Sequence, residues 1–164
     1  MAYKSFKSCD KGSGTGARVF PGKVATLMTE EQKNAGNVPI EQLAYDFSCR
    51  ITRMYKWLNE GKLEKADRDI VGAYGMQMLR SASSIAANLN EAKHPQSDAD
   101  YLSKASISLK EARETEFWLR LLKDNGYVDD VQFTSLHHDL DRILRILVTV
   151  TTKVRTRLKG KMGN

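Results

Sequence analysis

Leu136-His-His-Asp-Leu140-Asp-Arg-Ile143-Leu-Arg-Ile-Leu147-Val-Thr-Val150-Thr-Thr-Lys-Val154-Arg-Thr-Arg-Leu158 decides the fold class of this chain. The numbered apolar residues recur at steps of four and three, closing on a step of four. At 3.6 residues per turn, that alternation lays one stripe along a single helix face, the seam of a coiled coil. An amphipathic helix of this kind is stable only when its stripe is covered, so the stretch calls for partner helices.

Three partners precede it. Ile40, Leu43/Ala44, Phe47, Ile51, Met54 and Leu58 form the stripe of a first helix, with Asn37 as cap, Pro39 in its first turn and Asn59-Glu60-Gly61 as its end. A second helix is predicted from about Ala66 to Ala92, on Val71, Tyr74, Met78, Ala82, Ile85 and Leu89. Gly72 and Gly75 each cost it roughly 1 kcal/mol against Ala, and they leave room for a neighbouring helix to come close. His94-Pro95 stops it, because a residue before Pro disfavours α geometry. Ser97 with Asp100 starts a third helix on Leu102, Ala105, Leu109, Ala112, Leu119 and Leu122, and Asn125-Gly126 ends it. Asp129 or Asp130 caps the fourth. The links are short, so consecutive helices run antiparallel. The expected fold is all-α: an up-down-up-down antiparallel four-helix bundle over 39–158, an extended N-terminal arm over 1–38 and a basic tail over 159–164.

Composition bounds the rest. The chain has 164 residues, 41% of them hydrophobic, enough for one domain with a real core. The longest apolar run, Ile143–Val150, is broken by Arg145 and Thr149, so no membrane span is expected. The N-terminus lacks the apolar core of a signal peptide, which points to the cytoplasm. Cys9 and Cys49 provide neither a disulfide framework nor a metal-ligand spacing. The net charge of +6 favours acidic partners such as nucleic acid. The arm holds five of the eleven glycines and six basic residues against three acids. Only Ala17–Leu27, with Val19, Phe20 and Val24, is sticky enough for a short strand or turn.

Arg80-Ser-Ala-Ser-Ser-Ile-Ala-Ala-Asn-Leu-Asn-Glu-Ala92 resembles a hallmark helix of the four-helix-bundle proteins encoded in intervening sequences of bacterial 23S ribosomal RNA genes. So does Tyr101-Leu-Ser-Lys-Ala-Ser-Ile-Ser-Leu-Lys-Glu-Ala-Arg-Glu-Thr-Glu-Phe-Trp-Leu119, followed by Leu121-Leu122 and Gly126-Tyr127. The likeness covers roughly residues 40–157, with two long motifs in the right order and spacing. It implies a homo-oligomeric ring, a pentamer first. The fold is also similar to that of the accessory proteins of diversity-generating retroelements, basic bundles that bind a reverse transcriptase and nucleic acid.

Catalytic and metal chemistry find little support. A di-iron bundle needs two Glu-x-x-His pairs, and the chain has one, Glu91 to His94, at a helix end. His137 and His138 are adjacent, so they point about 100° apart on a helix. Gly12-Ser-Gly14-Thr-Gly16 departs from a dinucleotide fingerprint at Ala17, and Gly16 to Gly22-Lys23 is one residue too long for a P-loop. The serines at 81, 83, 84, 103, 106 and 108 have no nearby His, and they suit close helix packing. No catalytic residue, metal or cofactor is assigned, and the chain is read as no enzyme.

Two constellations remain. Glu116 falls near the middle of the third stripe on a helical wheel, with Asn88 and Ser81 in or beside the second. A buried carboxylate needs partners, so Ser81, Asn88 and Glu116 are expected to form a buried polar network, with Arg80 as a further candidate partner for Glu116. Lys153, Arg155, Arg157, Lys159 and Lys161 follow the fourth stripe with no acid after Val150, while Arg50, Arg53 and Lys56 are placed on the outer side of the first helix beside Trp57. These cations are the candidate nucleic-acid contacts, without sequence readout, since no helix-turn-helix, zinc-finger or RNA-recognition signature is present. Trp57, Phe117 and Trp118 are candidate subunit or partner contacts. The leading expectation is an accessory protein binding RNA or DNA, as partner of a reverse transcriptase or other nucleic-acid enzyme. The rival is a protein scaffold with an incidental basic surface, docking a partner through the arm.

Overall fold

The computed structural model describes residues 38–60 and 63–162. The arm up to Asn37, Cys9, the glycine-rich stretch, Gly61 and residues 163–164 lie outside the described residues. Four helices follow in order: α1 Ile40–Glu60, α2 Lys65–Glu91, α3 Asp98–Asp124 and α4 Asp130–Met162. Each packs on its sequence neighbour, and α4 closes against α1. Ile85 meets Ser108 and Ser81 meets Thr115, so partners advance in opposite directions along α2 and α3, and Arg157 late in α4 meets Asp98 at the start of α3, the signature of antiparallel neighbours.

Local chemistry sets the ends. Ser97 Oγ accepts from the Asp100 N–H at 3.1 Å, and Asp100 Oδ2 accepts from the Gln96 N–H at 3.1 Å. This satisfies donors that the first turn of α3 leaves free. At the other end, the Tyr127 N–H bonds to the Leu122 carbonyl and the Gly126 N–H to that of Lys123. Gly126 sits at φ 80°, the left-handed position that a glycine takes without penalty. Asp129 is the cap of α4: its Oδ1 accepts from the Gln132 N–H at 2.7 Å while Gln132 Oε1 accepts from the Asp129 N–H at 3.1 Å.

The core is the four stripes brought together. Phe47, Ile51, Met54, Met78, Ile85, Leu89, Leu119, Leu122, Leu136, Leu140, Ile143 and Leu147 are all fully buried. The seam of α4 does not stay buried to its end, because Val150, Val154 and Leu158 are half-buried. The helix itself runs to Met162, so Lys159 and Lys161 are helical residues and not a separate tail.

Small residues bring α1, α2 and α3 close. The inward columns of α3 begin as Ala105–Ala112 and Ser108–Thr115, all fully buried, before Leu119 and Leu122 take over. Ser48 Oγ lies 2.8 Å from the Ala82 carbonyl oxygen and Ser108 Oγ 3.3 Å from that of Ile85, so buried hydroxyls bond neighbouring backbones. Of the two glycines expected to admit a neighbour, only Gly75 does. A Cβ there meets the Tyr55 ring at 3.0 Å, whereas one on Gly72 meets nothing within 4 Å.

At the turn between α3 and α4, Tyr127 donates its phenolic hydrogen to Asp67 Oδ1 at 2.8 Å and ties the turn to α2. Burial, then the bond and charge of Asp67, push its pKa from 10.0 up to about 12. Folding therefore favours the neutral phenol. That contribution is whole below pH 10 and is lost as pH rises toward about 12.

Two measurements check these contacts. In urea unfolding, Gly72→Ala gains about 0.5–1 kcal/mol, while Gly75→Leu, forced against Tyr55, loses about 1–3 kcal/mol. Tyr127→Phe costs about 1 kcal/mol at neutral pH and flattens the fall of stability expected of the wild type above pH 10.

Candidate nucleic-acid interface

Arg50 is the first cation to place. It shares a heptad column of α1 with Leu43 and Trp57, and that column faces α4, not solvent as the outer-side assignment had it. Its guanidinium donates to the Asp139 carboxylate, to Ser135 Oγ at 2.6 Å and to the Ser135 carbonyl at 3.3 Å. Only 12% of the side chain is exposed. Arg50 is thus a clasp between α1 and α4, and its charge is already met. Arg53, one turn on, is half-buried, with a buried Nε that has no hydrogen-bond partner among the described residues. Lys56 is exposed. The three cations do not form one outward row.

The C-terminal cations divide as well. Arg157 Nη2 lies 2.5 Å from Asp98 Oδ1 and Lys161 Nζ 3.1 Å from Oδ2. Both reach over the start of α3, where Asp98 also favours the positive end of the helix dipole. Lys153, Arg155 and Lys159 are exposed, and no ion pair holds them among the described residues. Arg155 and Lys159, four residues apart, share one face, while Lys153 points to the other side. The turn joining α2 to α3 brings Lys93, also exposed, to this end of the bundle. Its isolation between two helices hid it from a reading based on stripes. The signal was available in the antiparallel order, which sets the turn at 92–97 beside the last turns of α4.

The expected polar network is not assembled. Ser81 is buried, but its partner is Thr115, with oxygens 2.8 Å apart. Asn88 donates to the Ser84 carbonyl within α2 at 2.9 Å. Glu116 reaches neither. It accepts from Arg113 at 3.1 Å and lies 3.2 Å from His137 Nε2, with 22% of its side chain exposed. The cause is register. The inward columns of α3 are Ala105–Ala112–Leu119 and Ser108–Thr115–Leu122, so Leu102, Leu109 and Glu116 form a flanking column toward α4. No partner of Glu116 involves Arg80.

That flank carries a strip of mixed chemistry. His137 stacks on Phe133 with ring centroids 5.1 Å apart, and Lys123 Nζ lies 4.6 Å from the Phe133 centroid and 3.1 Å from Asp130. His138 contacts Asp139, and His94 is exposed in the α2–α3 turn. No three of His, Cys, Asp and Glu converge on a metal-sized site among the described residues. No helix among them is long and apolar enough to cross a membrane.

The outer face of α2 and α3 holds the aromatics. Trp118 packs 5.7 Å from Tyr74 and 4.9 Å, edge-on, from Phe117, and its Nε1 donates to Glu114 at 3.1 Å. Phe117 itself is 56% exposed. Trp57 is half-buried against the core.

The model of the 23S rRNA-intervening sequence protein family matches residues 37–149. Among solved structures, the chain is similar to a protein of unknown function from the S23 ribosomal protein family of Bacteroides thetaiotaomicron. The identity is 36% and the TM-score 0.61, over 68% of this chain and 97% of that one. No curated protein matches.

Proposed function

The chain belongs to the 23S rRNA-intervening sequence protein family, and we propose that it is a non-catalytic accessory protein of the cytoplasm that grips RNA or DNA by its phosphates. What supports the reading is the last stretch of α4. From Val150 onward it carries five cations and no acid on an exposed helix, with Lys153, Arg155 and Lys159 unpaired among the described residues. Each unpaired cation near a phosphate displaces a counterion, which gives affinity without base readout. Lys93 adds to that end, and Arg157 and Lys161 lie beside it. Arg50 is withdrawn from the set because Asp139 already holds it.

Assembly multiplies the effect. A homo-oligomeric ring, a pentamer by family likeness, repeats the cationic end and turns weak contacts into avidity. A nucleic-acid enzyme such as a reverse transcriptase is the partner class such a protein serves, with the arm before Val38 as its docking segment. A second reading, a protein scaffold with an incidental charge, is favoured by one observation: the aromatic group Phe117, Trp118 and Tyr74, whose exposed ring suits a protein partner.

Salt titration separates the two. Binding of the assembled protein to single-stranded RNA weakens steeply with salt. In Lys153→Ala/Arg155→Ala/Lys159→Ala the slope of log K against log salt shrinks by about two per protomer bound, whereas Arg50→Ala leaves it unchanged. Absent or salt-insensitive binding rejects the nucleic-acid reading and leaves the scaffold.

A further inference from the structure

The cations at the end of α4 lie in two rows. Lys153, Arg157 and Lys161 recur every four residues along one face, over about 12 Å at 1.5 Å per residue, while Arg155 and Lys159 form a second row on another face. Both rows lie past the start of α1. Arg50 sits level with Ser135 and Asp139, so Ile40, the first residue of α1, is level with about residue 147 of antiparallel α4. From there the start of α3 accompanies α4, and one residue of it, Asp98, takes two members of the longer row. Its Oδ1 accepts from Arg157 Nη2 at 2.5 Å and its Oδ2 from Lys161 Nζ at 3.1 Å. One anionic group thus lays an oxygen on each of two cations, as a phosphate bridging them would. All three side chains keep a share of their surface in solvent, 55% for Arg157, 65% for Lys161 and 34% for Asp98, so a strand can reach them. The cap of α3 does not use the Asp98 side chain, because Ser97 and Asp100 supply it.

We infer, resting on the nucleic-acid reading above, that Asp98 is a built-in rival of the phosphate backbone, which withholds Arg157 and Lys161 and so limits how tightly the cationic end of α4 grips RNA. Each cation that neutralises a phosphate releases counterions from the strand. While Asp98 holds Arg157 and Lys161, only Lys153 is left free on the longer row, beside Arg155 and Lys159 on the shorter one. Asp98 also repels a phosphate that approaches the pair. Loss of its charge completes the row Lys153, Arg157 and Lys161 and adds two phosphate contacts per protomer.

Salt titration of single-stranded RNA binding by the full-length protein tests this on wild type, Asp98→Asn and Asp98→Asn/Arg157→Ala/Lys161→Ala. Asparagine keeps the shape of the side chain and leaves the cap intact, so α3 starts as before. At about 0.7 per contact on a single strand, the slope of log K against log salt steepens by about 1.4 per protomer bound in Asp98→Asn. Its advantage over wild type therefore grows about tenfold for each fivefold fall in salt. The triple variant returns to the wild-type slope. Glu41→Gln removes a negative charge close to Tyr101 of α3 without freeing a cation, and it leaves the slope unchanged. A slope in Asp98→Asn equal to that of wild type, or a steepening that survives in the triple variant, overturns the inference and leaves the nucleic-acid reading standing. Absence of binding in every variant rejects both.

Discussion

A helix of 33 residues cannot be buried along its whole length by one of 21, and this mismatch between α4 and α1 governs the molecule. Where all four helices overlap, the seam of α4 is core, through Leu136, Leu140, Ile143 and Leu147. Beyond the start of α1 the same two columns change character. One runs from Leu136 through Ile143 and Val150 to Arg157, the other from Leu140 through Leu147 and Val154 to Lys161. Apolar residues give way to smaller ones and then to cations that close on Asp98. The charged end of α4 is the continuation of its hydrophobic face past the point where burial is on offer.

The rest of the bundle is held by two different means. Between α1, α2 and α3, small residues let backbones approach, and hydroxyls of Ser48, Ser81, Ser108 and Thr115 satisfy one another or nearby carbonyls. Between α4 and its neighbours, larger polar groups bridge. Arg50 with Asp139 and Ser135 ties α4 to α1, and Glu116 with His137 ties it to α3. Buried charge is costly unless well partnered, and Arg50 offsets that cost through Asp139 and Ser135, although its Nε has no hydrogen-bond partner among the described residues.

The helices were legible because each repeats an apolar step for several turns, and because Ser97 with Asp100 and Asn125-Gly126 mark the two ends of α3, while the cap of α4 was narrowed only to Asp129 or Asp130. The sites were less so. A wheel drawn at 100° smears two adjacent columns into one stripe, which put Glu116 in the middle of a face that Thr115 occupies. Leu102, Leu109 and Glu116 differ by sevens, and that spacing alone marks a single column without saying whether it is the central one. Arg50 was misplaced for the converse reason. Its charge suggested solvent, and its spacing from Leu43 and Trp57 marks a shared column without naming the helix that column faces; the bonds to Ser135 and Asp139 are what turn it toward α4. Pairing across helices, such as Arg157 and Lys161 with Asp98, needs the relative heights of two elements, and no pattern within one helix carries that.

The comparison of Leu140→Ala with Leu158→Ala by urea unfolding bears most directly on this picture. Leu140 lies where four helices overlap, and its truncation costs about 2–5 kcal/mol. Leu158 lies beyond the start of α1, half-buried, and its truncation costs under about 1 kcal/mol. Equal losses at the two positions contradict a core that ends where α1 begins.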